Sequence, residues 1–223
     1  MCRFRLFIFM VSTRYLISIR GNCSLVNMVF SRYHFGMTIE RIEQLIERLS
    51  GLLRGDVRAL LSDEGLQPVQ LEALAYLARA NRYSDTPKGV TEYLGQTKGT
   101  VSQTLKVLES RELLVKVPDI EDRRVTHLRL TVQGRALLSR ARPAPLMQAA
   151  TEKMANQDLV VLAEQLTELL KAMQQANHSR SFDQCSGCKY NAPIAGGGYW
   201  CNLTQESLST AEVKLICREF EAP

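Results

Sequence analysis

Residues Leu114–Gly134, LVKVPDIEDRRVTHLRLTVQG, decide the fold. Leu114-Val115-Lys116-Val117 and Val125-Thr126-His127-Leu128-Arg129-Leu130 alternate on either side of a polar turn, Asp119-Ile120-Glu121-Asp122-Arg123-Arg124, which is the pattern of a β-hairpin. Thr131 and the residues after Gly134 begin a helix. Upstream, Thr86-Pro87 starts a short helix through Val90, Tyr93 and Leu94 that stops near Gly95, and Thr97 caps a second from about Lys98 to Glu112. Two helices joined by Gly95-Gln96-Thr97 and followed by a hairpin make a helix-turn-helix with a wing.

The second of these helices has two chemically different sides. Val101, Leu105 and Leu108 point toward a core, whereas Thr97, Lys98, Gly99, Thr100, Ser102, Gln103, Thr104 and Lys106 place small, hydrogen-bonding and basic groups near its N-terminal half, the end that enters the major groove in helix-turn-helix proteins. Hydroxyls and Lys98 suit phosphate, and Gln103 suits a bidentate contact to adenine. At the hairpin tip Asp119 and Asp122 flank Arg123 and Arg124, so a carboxylate can hold one arginine while the other reaches a narrow minor groove. The competing reading is a solvated helix face and a turn closed by surface ion pairs, which are worth little. Arg79, Arg82 and Lys88 are further candidates for phosphate contacts, and His127 reads as a plain strand residue.

Outward from this centre the chain is mostly helical. Ile39, Ile42, Leu45, Ile46, Leu49, Leu52, Leu53, Val57, Leu60 and Leu61 repeat at three- and four-residue spacing, Gly65 ends that helix, and Pro68 opens another through Ala78. A helix after Gly134 is interrupted by Pro143 and Pro145, and Met147–Asn177 resumes with one apolar face. The helices at 39–61 and 147–177 carry more apolar surface than a small wing domain can cover. Of the 223 residues 45% are hydrophobic and 23% charged, which excludes disordered and collagen-like chains. The formal charge of +5 misleads: five arginines and no acid lie in residues 1–36, and setting them aside leaves 23 basic against 23 acidic residues. Residues 1–36 read as a leader upstream of a natural start at Met37. Their apolar run, Leu6–Val11, is too short to span a bilayer.

The helix-turn-helix together with Asp119–Arg124 and Leu130-Thr131-Val132-Gln133-Gly134 resembles the MarR winged-helix regulators over about residues 37–177. The resemblance implies a homodimer whose first and last helices interlock, and two winged helices that read a pseudo-palindromic double-stranded DNA operator. It implies that Arg123 or Arg124 enters the minor groove. Many such regulators bind a small-molecule effector between the dimer base and the reading heads, where Tyr76 or Tyr83 would line a pocket.

Residues 178–223 lose helical periodicity and carry Cys185-x-x-Cys188, Cys201 and Cys217. A Cys-x-x-Cys turn supplies two thiolates at low entropic cost, and four suit a soft metal. One pair plus two singles leans toward an iron-sulfur cluster, with tetrahedral zinc as the alternative; permanent disulfides and a reversible thiol switch are the remaining readings. Tyr190, Tyr199 and Trp200 would shield the site, and Ser209 would cap a short helical stretch.

The fold class expected is therefore mainly α with a small β-wing: a leader (1–36), a winged helix with dimerisation helices (37–177) and a metal-binding tail (178–223). The expected protein is a cytoplasmic, homodimeric DNA-binding transcription regulator, a repressor, with no membrane partner. Its four-cysteine iron-sulfur or zinc site would sense redox or metal state by packing on helix 147–177 and changing the angle between reading heads. The alternative is a regulator responsive to a small molecule, with an inert zinc tail. With no Ser-His-Asp order, phosphate loop or paired carboxylates, and three histidines, an enzyme is not expected.

Overall fold

A computed structural model describes residues 23–223, with side chains from residue 36 onward. The chain divides into two compact units at Gly51/Leu52. The described part of the first is one stretch of helix: α1, Cys23–Leu61, runs through the expected boundary at Met37, and its Ile39, Ile42, Leu45, Ile46 and Leu49 side chains are exposed. The rest of the expected leader, residues 1–22, lies outside the described residues.

The second unit is a winged helix with a folded tail. Helix α2 is Pro68–Leu77, opened by proline at its first turn, where a missing N–H costs nothing. Helix α3, Pro87–Leu94, is capped by Thr86, whose hydroxyl accepts from Gly89 N at 3.1 Å, and stops at Gly95 in the left-handed conformation. Helix α4, Lys98–Ser110, is capped by Thr97 accepting from Thr100 N at 3.2 Å. Strands β1, Leu114–Pro118, and β2, Thr126–Leu130, pair antiparallel with Leu114 opposite Leu130 and Pro118 opposite Thr126. The core collects Val57 and Leu61 from the end of α1 with Leu71, Leu74, Tyr76, Val90, Val101, Leu105, Leu108, Leu114 and Leu128.

Helix α5, Val132–Ala141, explains the Leu-Thr-x-x-Gly string. Thr131 accepts from Gly134 N at 3.0 Å and donates its hydroxyl proton to Glu112 O at 2.6 Å, stitching the new helix to the end of α4. Gly134 lies so close to the chain entering β1 that a Cβ there would fall 2.0 Å from Leu113 O. The helix expected over 147–177 is two: α6, Pro145–Thr151, and α7, Asn156–Ala176. Residues 152–155 contain no proline or glycine, and nothing in the local sequence marks the break.

The tail folds as β3, Asp183–Gln184, paired with β7, Ile216–Cys217, and a meander of β4, Asn191–Pro193, β5, Tyr199–Cys201, and β6, Glu206–Leu208. The helical stretch expected after Leu203 is a single 3-10 turn, Glu212–Lys214; Ser209 and Glu212 cap each other across its start. Packing of the tail on helix 147–177 is the sequence expectation. Its hydrogen bonds run instead to the connection between α2 and α3: Ile216 N donates to Arg79 O at 2.7 Å and Asn81 N to Ile216 O at 2.9 Å. Ile216 belongs to the winged-helix core, and Phe182 stands edge-on to Tyr76 and Tyr93.

Replacing Gly134 by alanine forces α5 away from Leu113 and is expected to cost about 2–3 kcal/mol, as overpacking does. Urea denaturation checks this; a loss below about 0.5 kcal/mol, the scale of an ordinary surface substitution, contradicts the close approach.

Candidate nucleic-acid interface and cysteine cluster

Lys98, Thr100, Ser102, Gln103 and Lys106 lie exposed on α4, and Thr97 lies exposed at its N-cap, where its hydroxyl meets the N–H and the hydroxyl of Thr100. Thr104, grouped with them from the sequence, is 5% exposed and turned into the core. The reason is its position: with Val101, Leu105 and Leu108 it completes the stripe at i, i+3, i+4 and i+7 that packs inward.

The wing turn is built by its own carboxylates. Asp119 Oδ1 accepts from the backbone N–H groups of Glu121 (2.8 Å) and Asp122 (2.7 Å), and Asp122 Oδ1 accepts from Arg124 N at 3.0 Å. Asp122 also grips the Arg124 guanidinium in a fork, Nε to Oδ1 and Nη2 to Oδ2, both 3.0 Å, while that side chain stays 89% exposed. Of the two arginines Arg124 is the one held; among the described residues Arg123 makes no ion pair and is exposed. The Asp122 fork leaves three Arg124 N–H groups free to donate outward.

His127, read as a plain strand residue, bridges two carboxylates. Its Nδ1 lies 2.5 Å from Asp85 Oδ1 and its Nε2 3.0 Å from Asp119 Oδ2, joining the wing turn to the α2–α3 connection, where Leu128 N also donates to Asp85 O at 2.6 Å. Burial works against the imidazolium, but the two carboxylates outweigh it and raise its pKa above the ordinary value. Burial raises Asp85 against the opposing pull of His127. Asp119 is lowered to about 2, first by the Asp122 N–H and then by His127. Asp85 and Asp119 are 42 and 8 residues from His127, so only the nearer partner leaves a local trace.

Cys185, Cys188, Cys201 and Cys217 are all buried and unlinked, and all four line one enclosed, apolar cavity with a free volume of about 10 Å³. With Leu208, Val213 and Phe220 they form a second small core, covered by Tyr83, Tyr190 and Tyr199. Among the described residues no three His, Cys, Asp or Glu groups are gathered closely enough to be a ready ion site as they stand. Burial and the neighbouring thiols push Cys185 up to about 12, and burial likewise raises Cys217. Such thiols stay protonated unless a cation takes the protons' place. The surroundings carry donors for thiolate: Glu221 N approaches Cys188 Sγ at 3.5 Å, and the Asn81 carboxamide favours the charged form of Cys217. Asn81 is 2% exposed and its Nδ2 has no hydrogen-bond partner. A donor set of four sulfurs with N–H groups aimed at them fits a soft metal.

Each of the three further candidates for phosphate contacts has a polar neighbour in the fold. Arg82 binds Glu206 (2.8 Å), Glu212 (2.7 Å) and Ser207 O (2.9 Å), holding the tail rather than a phosphate. Arg79 donates to Ala75 O and Tyr93 Oη, and Lys88 faces Glu92 at 4.0 Å. Tyr76 is fully buried, stacks on Tyr93 at 4.4 Å and donates to Ser84 O, while Tyr83 covers the cysteines and pairs with Glu206.

A helix-turn-helix followed by a two-stranded wing defines a winged-helix protein. Residues 64–125, from the turn after α1 through the wing turn, match the sequence model of the MarR family, and the match stops upstream of the four cysteines of the tail. The fold is similar to S. aureus MepR in its DNA-binding conformation, at 21% identity over 60% of this chain and 98% of that one, with a TM-score of 0.53. It is also similar to a MarR family protein from Bacillus stearothermophilus, at 19% identity over 62% and 97% of the two chains, with a TM-score of 0.52. No curated protein matches the sequence.

A raised imidazole pKa adds stability that is complete below the unfolded value, about 6.5, and is lost as pH rises through the folded value. The wild-type chain is therefore expected to lose stability from pH 6.5 to 9, and His127→Gln to lose less over that window. Urea midpoints at both pH values measure it; equal slopes for the two chains contradict a charged bridge.

Proposed function

We propose that this chain is a DNA-binding transcription regulator of the MarR type, acting as a homodimer and repressing by occupying its operator. The observation that carries the reading is the pairing of an exposed, polar N-terminal half of α4 with a wing whose carboxylates fix the direction of Arg124. A preoriented cation loses less freedom on entering a narrow groove than a free one, so Arg124 is assigned the minor groove and Arg123 an adjacent phosphate. Gln103 reads a base edge, and Lys98, Thr100, Ser102 and Lys106 fix the register on phosphates. No enzymatic chemistry is invoked.

Dimerisation is supported by apolar surface left open. No residue of α7 is buried, and Leu166, Leu170 and Met173 are 48%, 56% and 59% exposed. A 21-residue helix with such a face needs a partner, and a second copy supplies an identical one. Among the described residues no helix is long and apolar enough to cross a membrane.

For the tail we propose a single zinc ion held by Cys185, Cys188, Cys201 and Cys217. An iron-sulfur cluster is the alternative occupant of the same four cysteines. Bound there, the ion supplies cross-linking of the meander to β7 in a segment with few apolar residues of its own.

Two measurements test the regulator. On a duplex selected from a random pool by the wild-type protein, Arg124→Ala is expected to weaken binding by about ten- to a hundredfold, with a smaller salt slope. Anisotropy titrations at several salt concentrations read both; unchanged affinity sinks the assignment. Leu166→Glu with Leu170→Glu is expected to give a monomer by light scattering, and a dimer that persists contradicts α7 as its interface.

A further inference from the structure

Residues 79–86 join α2 to α3, and the parts that position the reading head converge on them. From α2, Tyr76 Oη donates to Ser84 O at 2.9 Å. From the wing, Leu128 N and His127 bind Asp85. From the tail, the residues on either side of Cys217 take hold: Ile216 exchanges backbone hydrogen bonds with Arg79 and Asn81, and Arg218 N donates to Ser84 Oγ at 2.9 Å. Ser84 Oγ in turn donates to Asn81 Oδ1 at 2.6 Å, with both residues almost fully buried. The Arg218 guanidinium then forks onto Glu92 of α3, with Nε and Nη2 at 2.8–3.1 Å from its carboxylate oxygens. That pair is largely shielded, with the Arg218 side chain 12% exposed, and Arg218 also meets Glu219 at 2.7 Å, so Glu92 is the member that ties it to α3.

We propose that an ion in the cysteine cavity controls DNA affinity within its own protomer, by fixing Cys217 and with it the grip of Ile216 and Arg218 on residues 79–86 and α3. This deepens the zinc reading above and rests on it. Strand β7 is two residues long and pairs with only two residues of β3. Without an ion the four thiols are not bonded to one another and β7 is held by its few backbone hydrogen bonds, whereas an ion bonded to Cys217 and to three sulfurs elsewhere in the tail would fix the backbone between Ile216 and Arg218. Asn81 stands at the same joint: its buried Nδ2 has no hydrogen-bond partner, while its Oδ1 accepts from Ser84 Oγ. Loss of the ion frees residues 79–86, and α3 shifts under α4 through the Gly95-Gln96-Thr97 turn. The coupling therefore runs in cis through the reading head, and the angle between two protomers need not change.

The test uses the full chain under reducing conditions, loaded with zinc or stripped by a chelator. Zinc-to-protein ratio, hydrogen exchange and anisotropy on the selected duplex are read on the same samples. Stripping is expected to speed exchange in residues 79–86 and to weaken duplex binding, each by about tenfold or more, with α7 unaffected. Glu92→Gln is expected to keep one zinc per chain while the affinity ratio between loaded and stripped forms falls below about threefold. Zinc bound at one per chain with unchanged exchange in residues 79–86, or with unchanged affinity, overturns the coupling and leaves the zinc site standing. Undiminished coupling in Glu92→Gln overturns the ion-pair route. A chain that takes up no zinc overturns the site and the coupling together.

Discussion

A buried backbone must find its hydrogen-bond partners somewhere, and for the connection between α2 and α3 two of them, the N–H and the carbonyl of Ile216, lie at the far end of the sequence. Asn81 and Ser84 are at 2% and 0% exposure, and the groups that satisfy this segment come from Ile216 and Arg218 on one side and from Leu128 and His127 on the other. A winged helix could close this corner with its own residues. Here the closure is supplied by the tail, so the tail is part of the reading head's interior, with Ile216 as a member of its main core.

The parts that were legible in the sequence are those governed by local rules. Threonine before each of α3, α4 and α5, glycine at the left-handed stop after α3, and alternation around an acidic turn gave the helix-turn-helix and wing nearly to the residue. Thr104 was legible too, since its spacing from Val101 and Leu108 matches the core stripe; its hydroxyl drew it into the wrong group. The cysteines declared themselves by spacing, and they do line one cavity. Where the tail docks was not legible. Two-residue strands leave no periodic trace, and the Arg218–Glu92 pair spans 126 residues with no rule to join them. His127 gave no local sign of Asp85, and the break between α6 and α7 has no proline or glycine to announce it.

The charge balance makes sense once partners are known. Outside its first 36 residues the chain is neutral in sum, but its acids and bases are not evenly engaged. Glu206 and Glu212 occupy Arg82, Glu92 and Glu219 occupy Arg218 and Arg180, and Asp122 orients Arg124. These pairs leave Lys98, Lys106, Arg123 and the outer edge of Arg124 exposed on α4 and the wing tip, beside the exposed acid Glu121. Whole-chain charge averages over this partition, which is why it carried no information about a polyanionic partner.

Chain order gives the Ile216 bridge a further meaning. Synthesis proceeds from the N-terminus, so α2, α3, α4 and the wing leave the ribosome well before residues 216–218 do. Until those residues arrive, Arg79 O and the Asn81 N–H lack their partners, Ser84 Oγ lacks the N–H it accepts from, and the core lacks a member. The reading head is thus the first module made and the last one finished, and a nascent or C-terminally clipped chain presents an α4 whose footing has not set.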